Sequence, residues 1–340
     1  MTDPTVIWGA GAVGGTLGAY LVRSGVDVLF VDNVPEHVAA MNGSGLTIEG
    51  PIDNFTVPAK ACLPADVSGR FGRIVLAVKA QHTVSAVAAL AQHLADDGYV
   101  VSAQNGLNEI AISNEVGEAR TMGCFVNYGA DYLEPGRITY GGYGAVVLGE
   151  LDGRSTPRLA DTLALFQRFE PRAIATDNIW GYLWGKLGYG ALLFATALTN
   201  RSIADALAEP RWKALYRRIG TEAVLAGRAR KVRAEGFNGF DVAAFTPEAS
   251  DAAVQASLDA MVAHNAKSTK THSGIWRDLA VRKRKTEVDA QIAIIADLAR
   301  EVGVDTPAIR ALVAFVHDVE DGRRPLDDAT LDALAKAVGA

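Results

Sequence analysis

The stretch Val6-Ile7-Trp8-Gly9-Ala10-Gly11-Ala12-Val13-Gly14 begins the pattern that decides the fold of this 340-residue chain. Its three leading apolar residues predict a short strand, and a glycine-rich run follows directly. A stretch with helical spacing covers residues 15–23, and a second apolar strand, residues 26–31, ends on Asp32. A strand, a glycine-rich turn, a helix and a second strand in this order are typical of a dinucleotide-binding site.

The glycines of this turn have separate physical roles. Gly9 permits the tight turn, Gly11 lets the backbone approach a pyrophosphate, and Gly14 lets the helix pack close to the sheet. The unpaired N–H groups at the helix N-terminus are then available to the phosphates. We therefore expect the loop to bind a cofactor through Gly9, Ala10, Gly11, Ala12, Val13 and Gly14. The alternative is a glycine-rich turn that binds no ligand.

Asp32 bears on the choice of cofactor. A carboxylate at the end of the second strand accepts hydrogen bonds from the adenosine ribose diol and repels a 2′-phosphate. Residues 33–41 contain no Arg or Lys to offset that repulsion. The expected cofactor is therefore NAD, with NADP less favoured and FAD, which uses a similar fold, a minor alternative.

Composition excludes several classes of protein. About half of the residues are apolar, which is enough for two domains with cores of their own, and the net charge of −6 argues against a nucleic-acid partner. No window reaches 18 uninterrupted apolar residues, and the N-terminus lacks a signal-peptide pattern, so no membrane span and a cytoplasmic location are expected. Cys62 and Cys124 give neither a disulfide framework nor a metal-ligand spacing, so no metal is expected.

The order of elements predicts two domains. Short apolar strands alternate with helical stretches in the first half, which indicates a parallel, doubly wound sheet. Glycines punctuate β-prone residues from 123 to 150, which suggests antiparallel strands at the sheet edge. Five helical stretches follow: 180–198, 210–228, 248–264, 287–302 and 307–319. We expect an α/β Rossmann NAD-binding domain over 1–178, an all-α substrate and catalytic domain over 179–340, and a substrate cleft between them.

Polar residues at strand ends are candidates for the site. Lys79 and Asn105 fall just past the carboxyl ends of predicted strands, where doubly wound folds bind their ligands. We expect both to contact the cofactor and Asn105 also to contact substrate. The alternatives are a surface lysine and, because Asn105 precedes Gly106, simple turn chemistry.

A second lysine, Lys186, lies on a largely apolar helical stretch between Trp184 and Leu187. Loss of hydration makes an ammonium group release its proton more readily, which suits a catalytic acid. The alternative, which periodicity alone favours, is a lysine that buries its stem and extends its charge to solvent.

A polar region further along the chain offers His272, Ser273 and Arg277 as candidates. After it, Thr286 and Asp289 have the spacing of a helix capping box. Glu287 would then be an acid in the first turn that interacts with the helix dipole.

Taken in order, these segments resemble the ketopantoate reductase family of 6-phosphogluconate-dehydrogenase-like proteins. The resemblance extends from about residue 5 to residue 320. It rests on six segments, which are residues 9–14, Val78-Lys79, residues 104–107, residues 135–138, Trp184-x-Lys186-Leu187 and residues 273–289.

The resemblance implies a Rossmann domain joined to a helical domain, with catalysis between them. It identifies Lys186 as the catalytic lysine that protonates the carbonyl oxygen as hydride arrives. Glu287 is similar to the acid that hydrogen-bonds substrate and supports the lysine, and Asn105 to a residue near the nicotinamide ribose and substrate. These matches make a catalytic role the preferred interpretation of Lys186.

Three departures from the family pattern bear on the substrate. The family helix carries amides four and eight residues after the lysine, where this chain has Gly190 and Phe194, leaving a roomier and more apolar wall. The spacing from Asp278 to Glu287 is one residue longer, so His272 or Ser273, with Arg277, could hold the substrate's acid group. Asp32 stands where NADP-dependent members tend to carry a basic residue.

The sequence thus favours an NAD(H)-dependent oxidoreductase that interconverts a small hydroxy acid, such as a sugar acid, and its keto acid. One alternative is an NADP(H)-dependent 2-dehydropantoate 2-reductase, and another is a non-catalytic NAD-binding redox sensor. A homodimer through the helical domain stays open.

Overall fold

A computed structural model describes residues 4–267 and 271–340 of the chain. By their internal contacts these residues form two compact units. The first extends to Ile179 and the second begins at Trp180.

The first unit contains twelve strands among its described residues. They are β1 (Thr5–Trp8), β2 (Val28–Val31), β3 (Leu46–Glu49), β4 (Phe55–Val57), β5 (Lys60–Cys62), β6 (Phe71–Leu76), β7 (Leu94–Ser102), β8 (Thr121–Val126), β9 (Gly129–Glu134), β10 (Arg137–Gly142), β11 (Val146–Glu150) and β12 (Ile174–Ala175). Eight form the main sheet in the order β12-β11-β8-β7-β6-β1-β2-β5. Its central strands β7, β6, β1 and β2 run parallel, as the alternating pattern predicts.

Five α-helices belong to this unit: α1 (Ala12–Arg23), α2 (Pro35–Ser44), α3 (Thr83–Ala91), α4 (Asn108–Val116) and α5 (Pro157–Phe166). Side chains alternate between the two faces of the sheet, as the two-residue period of a strand requires. Ile7 of β1 thus packs into one core cluster, whereas Val6 and Trp8 pack into another. The central strand is therefore buried on both faces, which explains its continuous apolar run.

The expectation for residues 123–150 is only half right. Strands β8 and β11 pair antiparallel in the main sheet. Strands β9 and β10, however, leave the sheet edge and join β3 and β4 in a separate four-stranded sheet. The link is a parallel pairing of Arg137 with Thr47, which are 90 positions apart. A local pattern carries no information about such a distant partner.

The second unit is helical. Its helices are α6 (Ile179–Thr196), α7 (Ile203–Ala208), α8 (Lys213–Ala229), α9 (Asp251–Ala266), α10 (Gly274–Trp276), α11 (Ile294–Glu301), α12 (Pro307–Glu320) and α13 (Asp328–Ala337). Helices α7, α10 and α13 were not expected from the sequence. Two π-helical segments, Arg277–Val281 and Asp289–Ala293, also occur here. Within the described residues, no helix combines the length and apolar character needed to cross a membrane.

Candidate active site

The glycine-rich loop has the geometry that its sequence predicts. Gly9 has a φ of +100°, and a Cβ on it would lie 2.7 Å from the backbone nitrogen of Val78. A Cβ on Gly14 would overlap the carbonyl oxygen of Gly9. Gly11 differs, because a Cβ on it would meet no heavy atom within 4 Å. Gly9 and Gly14 are therefore required by packing, whereas Gly11 borders open space that a side chain would fill.

The N-terminus of α1 is left open beside that space. Gly11 is the N-cap residue and has no side chain to bind the first-turn N–H groups. Such uncapped N–H groups, together with the helix dipole, attract anions such as a pyrophosphate.

Asp32 follows β2, which runs parallel to β1, so it lies at the same carboxyl end of the sheet as the glycine-rich loop. Its carboxylate forms a hydrogen bond with that loop. Its Oδ2 accepts a hydrogen bond from the Ala10 N–H at 2.8 Å, and its Oδ1 accepts one from the Val34 N–H at 3.0 Å. Each oxygen keeps one further acceptor site, and the residue is partly exposed. Asp32 can therefore hold the loop and still accept hydrogen bonds from a ligand.

The surroundings of Asp32 are acidic. Burial raises the pKa of the Tyr132 hydroxyl, and the negative charges of Asp32, Glu36 and Glu134 raise it further. Glu134 is paired with Arg137, so Asp32 and Glu36 are the carboxylates that disfavour an additional anionic group near Tyr132.

His37 is a loop-supporting residue that the sequence reasoning missed. It is only 1% exposed. Its Nδ1 accepts a hydrogen bond from the Gly136 N–H at 2.9 Å, so its Nε2 carries the proton and donates to the Ala10 carbonyl oxygen at 2.9 Å. The ring thus connects the glycine loop to the β9–β10 turn. The only signal in the sequence was a histidine in the helix after Asp32.

A buried polar network connects the ends of β6 and β7. The Gln104 amide donates to the Val78 carbonyl at 2.8 Å and to the Thr83 hydroxyl at 2.7 Å. The Thr83 hydroxyl donates to Asn108, whose own amide donates to the Asn105 carbonyl. The network therefore fixes the backbone beside both predicted ligand contacts, leaving Lys79 partly exposed and Asn105 exposed. Thr83, Gln104 and Asn108 were not predicted.

Lys186 lies on a narrow accessible stripe of α6. Between residues 181 and 192, only Tyr182, Lys186 and Gly190 are partly exposed, and every other residue is buried. These three residues are spaced four apart and so share one face of the helix. The opposite side is packed closely, since a Cβ on Gly188 would lie 2.8 Å from the Phe240 ring.

The two residues that depart from the family pattern differ in their surroundings. A Cβ on Gly190 would meet no atom within 4 Å, so there is open space one turn beyond Lys186. Phe194 is fully buried, and its ring packs in the core of the unit. The expectation of a roomier wall therefore has support at Gly190, whereas Phe194 offers no accessible surface.

The candidates of the 272–277 region make local contacts. The Ser273 hydroxyl accepts a hydrogen bond from the Trp276 N–H at 3.1 Å, and the residue is 8% exposed. The His272 ring lies against the Trp276 ring, with centroids 4.1 Å apart, and its Nε2 faces the Asn200 carbonyl oxygen at 3.2 Å. Ser273 is thus a helix cap, and Arg277 begins a π-turn with a partly exposed side chain.

That π-turn is visible in the hydrogen bonding, because the Arg282 N–H donates to the Arg277 carbonyl five residues earlier at 2.8 Å. A π-turn holds one residue more than an α-turn. The run Arg282-Lys283-Arg284-Lys285 follows this turn. Two of its members, Arg282 and Arg284, bind the buried Asp278 at 3.0 and 2.9 Å, so these basic residues are partly structural.

Glu287 is partly exposed and belongs to the same unit as Lys186. The capping box expected around it is only half formed. The Thr286 hydroxyl accepts a hydrogen bond from the Val288 N–H at 3.2 Å, but the Thr286 N–H donates to Glu320 rather than to Asp289. Asp289 instead contacts His317. A carboxylate from a distant helix thus occupies the position expected for Asp289.

These features define the class of protein, which is one with a dinucleotide-binding fold. Uncapped N–H groups, open space beside Gly11 and an acid after the second strand fit a dinucleotide, and the fold is a Rossmann-like sheet unit followed by a helical unit. Within residues 4–267 and 271–340, no cluster of three His, Cys, Asp or Glu side chains could hold a metal ion.

Comparison with known proteins gives the family. The profile described as ketopantoate reductase PanE/ApbA matches residues 5–153, and its C-terminal counterpart matches residues 178–320. The chain therefore belongs to the ketopantoate reductase family, as its sequence motifs suggest. It is an oxidoreductase of the class that acts on CH–OH and C=O groups.

Individual relatives agree over nearly the whole chain. A 2-dehydropantoate 2-reductase from Mesorhizobium japonicum is 28% identical, over 92% of this chain and 96% of its own length. The crystal structure of a PanE/ApbA family ketopantoate reductase from Ralstonia eutropha JMP134 superposes with a TM-score of 0.78 at 25% identity, over 94% of this chain and 99% of that one. The complex of D-mandelate dehydrogenase with NADH shares the fold, with a TM-score of 0.80 at 20% identity, over 94% of this chain and all of that one.

Proposed function

We propose that this protein is an NAD(H)-dependent oxidoreductase that interconverts a small hydroxy acid and its keto acid, with Lys186 as the general acid and base. The observation that carries the proposal is the position of Lys186. It lies at the middle of the accessible stripe of α6, where the other residues between 181 and 192 are buried, next to the open space at Gly190. A lysine there can reach a ligand while its helix stays rigid.

The loop from Gly9 to Gly14 would hold the cofactor's pyrophosphate, and Asp32 would hold its adenosine ribose. The acidic surroundings that act on Tyr132 disfavour the 2′-phosphate of NADP, which supports NAD. Lys79 and Asn105 would contact the cofactor at the ends of β6 and β7. When bound, the nicotinamide supplies or accepts the hydride.

The helical unit would handle the proton and orient the substrate. Lys186 would donate a proton to the carbonyl oxygen in the direction of reduction and remove it in oxidation. Glu287 would accept a hydrogen bond from substrate and support the lysine. Arg277 suits a substrate carboxylate, because a guanidinium binds a carboxylate through two parallel hydrogen bonds.

The substrate is expected to differ from ketopantoate. Gly190 replaces an amide of the family pattern and leaves room where that amide would hydrogen-bond. His272 and Ser273 are weaker candidates for the substrate's acid group, because His272 lies against Trp276 and Ser273 caps a helix. The Ser273 hydroxyl hydrogen still offers a donor.

A steady-state assay with NADH and NADPH against a panel of 2-keto acids, including ketopantoate and sugar acids, tests the proposal. We expect turnover with a keto acid other than ketopantoate and a preference for NADH of at least about tenfold, or roughly 1.4 kcal/mol. A preference for NADPH would contradict the role given to Asp32.

The second candidate is NADPH-dependent reduction of 2-dehydropantoate. It is favoured by the curated relatives, since a 2-dehydropantoate 2-reductase matches over nearly the full chain. Efficient turnover of ketopantoate at micromolar concentration would support it. NADH binding without turnover across the panel would instead indicate a redox sensor.

A further inference from the structure

The segment that carries Glu287 is attached to helix α12 through the residue before it. Glu320, near the end of α12, accepts two hydrogen bonds at Oε1 from Thr286. The backbone N–H donates at 2.7 Å and the hydroxyl at 2.6 Å. The Thr286 hydroxyl oxygen also accepts from the Val288 N–H. The backbone on both sides of Glu287 is therefore held by one carboxylate, 34 positions away in the sequence.

A second attachment lies two residues after Glu287. The Asp289 carboxylate lies 2.9 Å from Nε2 of His317, and Nδ1 of the same ring lies 2.8 Å from Oε2 of Glu320. Both ring nitrogens thus face carboxylate oxygens, and only an imidazolium can donate from both. The Glu320 side chain is 1% exposed, so its charge is compensated by the donors of His317 and Thr286, whereas Asp289 is 75% exposed.

We propose that His317 and Glu320 are positioning residues that hold Glu287 in place for the reaction, and that protonated His317 completes this arrangement. The inference rests on the proposed role of Glu287. Glu320 fixes the backbone before Glu287, and His317 connects Glu320 to Asp289 after it. Neither residue needs to touch substrate.

This arrangement depends on pH in a defined direction. Partial burial acts to lower the pKa of His317, but hydrogen bonds and charges from Glu320 and Asp289 outweigh it and raise that pKa above its ordinary value. The other acids near the end of α12 have partners of their own, since Asp318 binds Arg323 and Arg324, and Asp321 binds Arg323. Lys285, from the loop before Thr286, lies 3.8 Å from Asp321.

Loss of the His317 proton would break one of its two contacts. A neutral imidazole donates from one nitrogen only, so either Asp289 or Glu320 would face a lone pair. The arrangement is complete below the raised pKa of His317 and is lost as pH rises through it. We expect the activity to fall on the alkaline side for this reason.

Two substitutions at Glu320 separate positioning from charge. In Glu320→Gln, the amide oxygen can still accept from Thr286, while the amide NH₂ can donate to Nδ1 of a neutral His317 whose Nε2–H still binds Asp289. Glu320→Ala removes the contacts of this side chain with Thr286 and with Nδ1 of His317, and leaves only the contact between His317 and Asp289. Asp318→Asn is the matched control, because it neutralises an acid of the same helix without touching Thr286 or Asp289.

The experiment measures kcat and KM of these proteins with NADH and the best keto acid from pH 6 to 10. We expect Glu320→Ala to lower kcat about 10- to 100-fold, as small displacements of catalytic groups do, while NADH affinity is kept. Glu320→Gln should recover most of kcat and lose the alkaline decrease that His317 causes. His317→Gln should also lose that decrease, because it leaves no imidazole to titrate. Asp318→Asn should behave like the unmodified protein. Unchanged kcat and an unchanged pH profile in Glu320→Ala would overturn the proposal.

A second readout is independent of turnover. Hydrogen exchange of the Thr286 and Val288 amides should accelerate in Glu320→Ala and stay slow in Glu320→Gln, and an NMR titration should show a raised pKa for the His317 ring. Absence of turnover in the unmodified protein would contradict the proposed function alone. In that case, unchanged amide exchange in Glu320→Ala would overturn the positioning role as well, and faster exchange would support the attachment.

Discussion

The glycine loop of the first unit and the Glu287 segment of the second are held in place by different means. The loop is shaped by its own backbone, since Gly9 and Gly14 leave no space for a Cβ. The Glu287 segment is held by side chains of α12, through Thr286 and Glu320. The first arrangement is therefore sensitive to an atom added at Gly9 or Gly14, and the second to the loss of a single carboxylate.

The largest expected effect tests whether the second unit carries the chemistry at all. Lys186→Ala removes the proposed proton donor, and kcat should fall about 10²- to 10⁴-fold, the usual contribution of a general acid. Lys186→Arg should not restore it, because a guanidinium does not release its proton at neutral pH. Steady-state kinetics with NADH and the best substrate measure both variants.

Lys213 supplies the control for this prediction. It is also a partly exposed lysine on a helix of the second unit, and the proposed site does not use it. Lys213→Ala should therefore keep wild-type kcat. Near-normal turnover by Lys186→Ala would show that Lys186 only extends its charge to solvent.

An intermediate effect should separate the two roles of glycine within the loop. Gly11→Ala adds a methyl group to open space at a φ of −68°, which any residue adopts, so the thermal midpoint should hardly change. Its methyl group would occupy the proposed pyrophosphate position, and NADH affinity should fall about tenfold or more, at least about 1.4 kcal/mol. Calorimetric titration and thermal unfolding measure the two quantities.

Gly14→Ala is the matched comparison for Gly11→Ala. Its methyl group would overlap the Gly9 carbonyl oxygen, which cannot move without distorting the loop. The thermal midpoint should fall by several degrees, because overpacking destabilises a well-packed site. Equal thermal midpoints for the two variants would contradict the distinction between packing and ligand space.

The difference between a loop shaped by its own backbone and a segment held by distant side chains also explains what the sequence could predict. The glycine loop and the parallel strands follow from local spacing, so the Rossmann-like unit was predicted correctly, and the family motifs identified the ketopantoate reductase family. The sheet containing β3 and β10 was missed, because its pairing of Thr47 with Arg137 has no local signal.

Side-chain networks set the limit on predicting the site. Thr286 and Asp289 have the spacing of a capping box, yet Glu320 and His317 bind them instead. Glu320 and His317 belong to α12, which begins after the motif Thr286–Asp289 has ended, so the local sequence does not reveal these contacts. The π-turn at Arg277–Val281 is a further local feature that the sequence pattern did not predict.

The smallest expected effects concern two buried glutamates, one in each unit. In the first unit, burial acts to raise the pKa of Glu150, but hydrogen bonds from Arg158 and Thr156 outweigh it and lower that pKa. In the second unit, burial raises the pKa of Glu222 although the Ala308 and Ile309 N–H groups donate to its carboxylate at 3.0 and 2.9 Å. The two acids should therefore respond to pH in opposite directions.

The stabilisation from Glu150 is present at neutral pH and is lost as pH falls through its lowered pKa. The stabilisation from Glu222 is fully present in acid and is lost as pH rises through its raised pKa. Glu150→Gln should therefore destabilise the first unit by about 1 kcal/mol at pH 7, and by less as the pH approaches 3. The free energy of unfolding of the unmodified protein should instead increase on acidification relative to that of Glu222→Gln. Urea unfolding, followed by hydrogen exchange of peptides from each unit, measures both slopes. We expect the two variants to differ from the unmodified protein with opposite pH dependences of the free energy of unfolding. The same dependence for both would contradict the opposite pKa shifts of the two carboxyl groups.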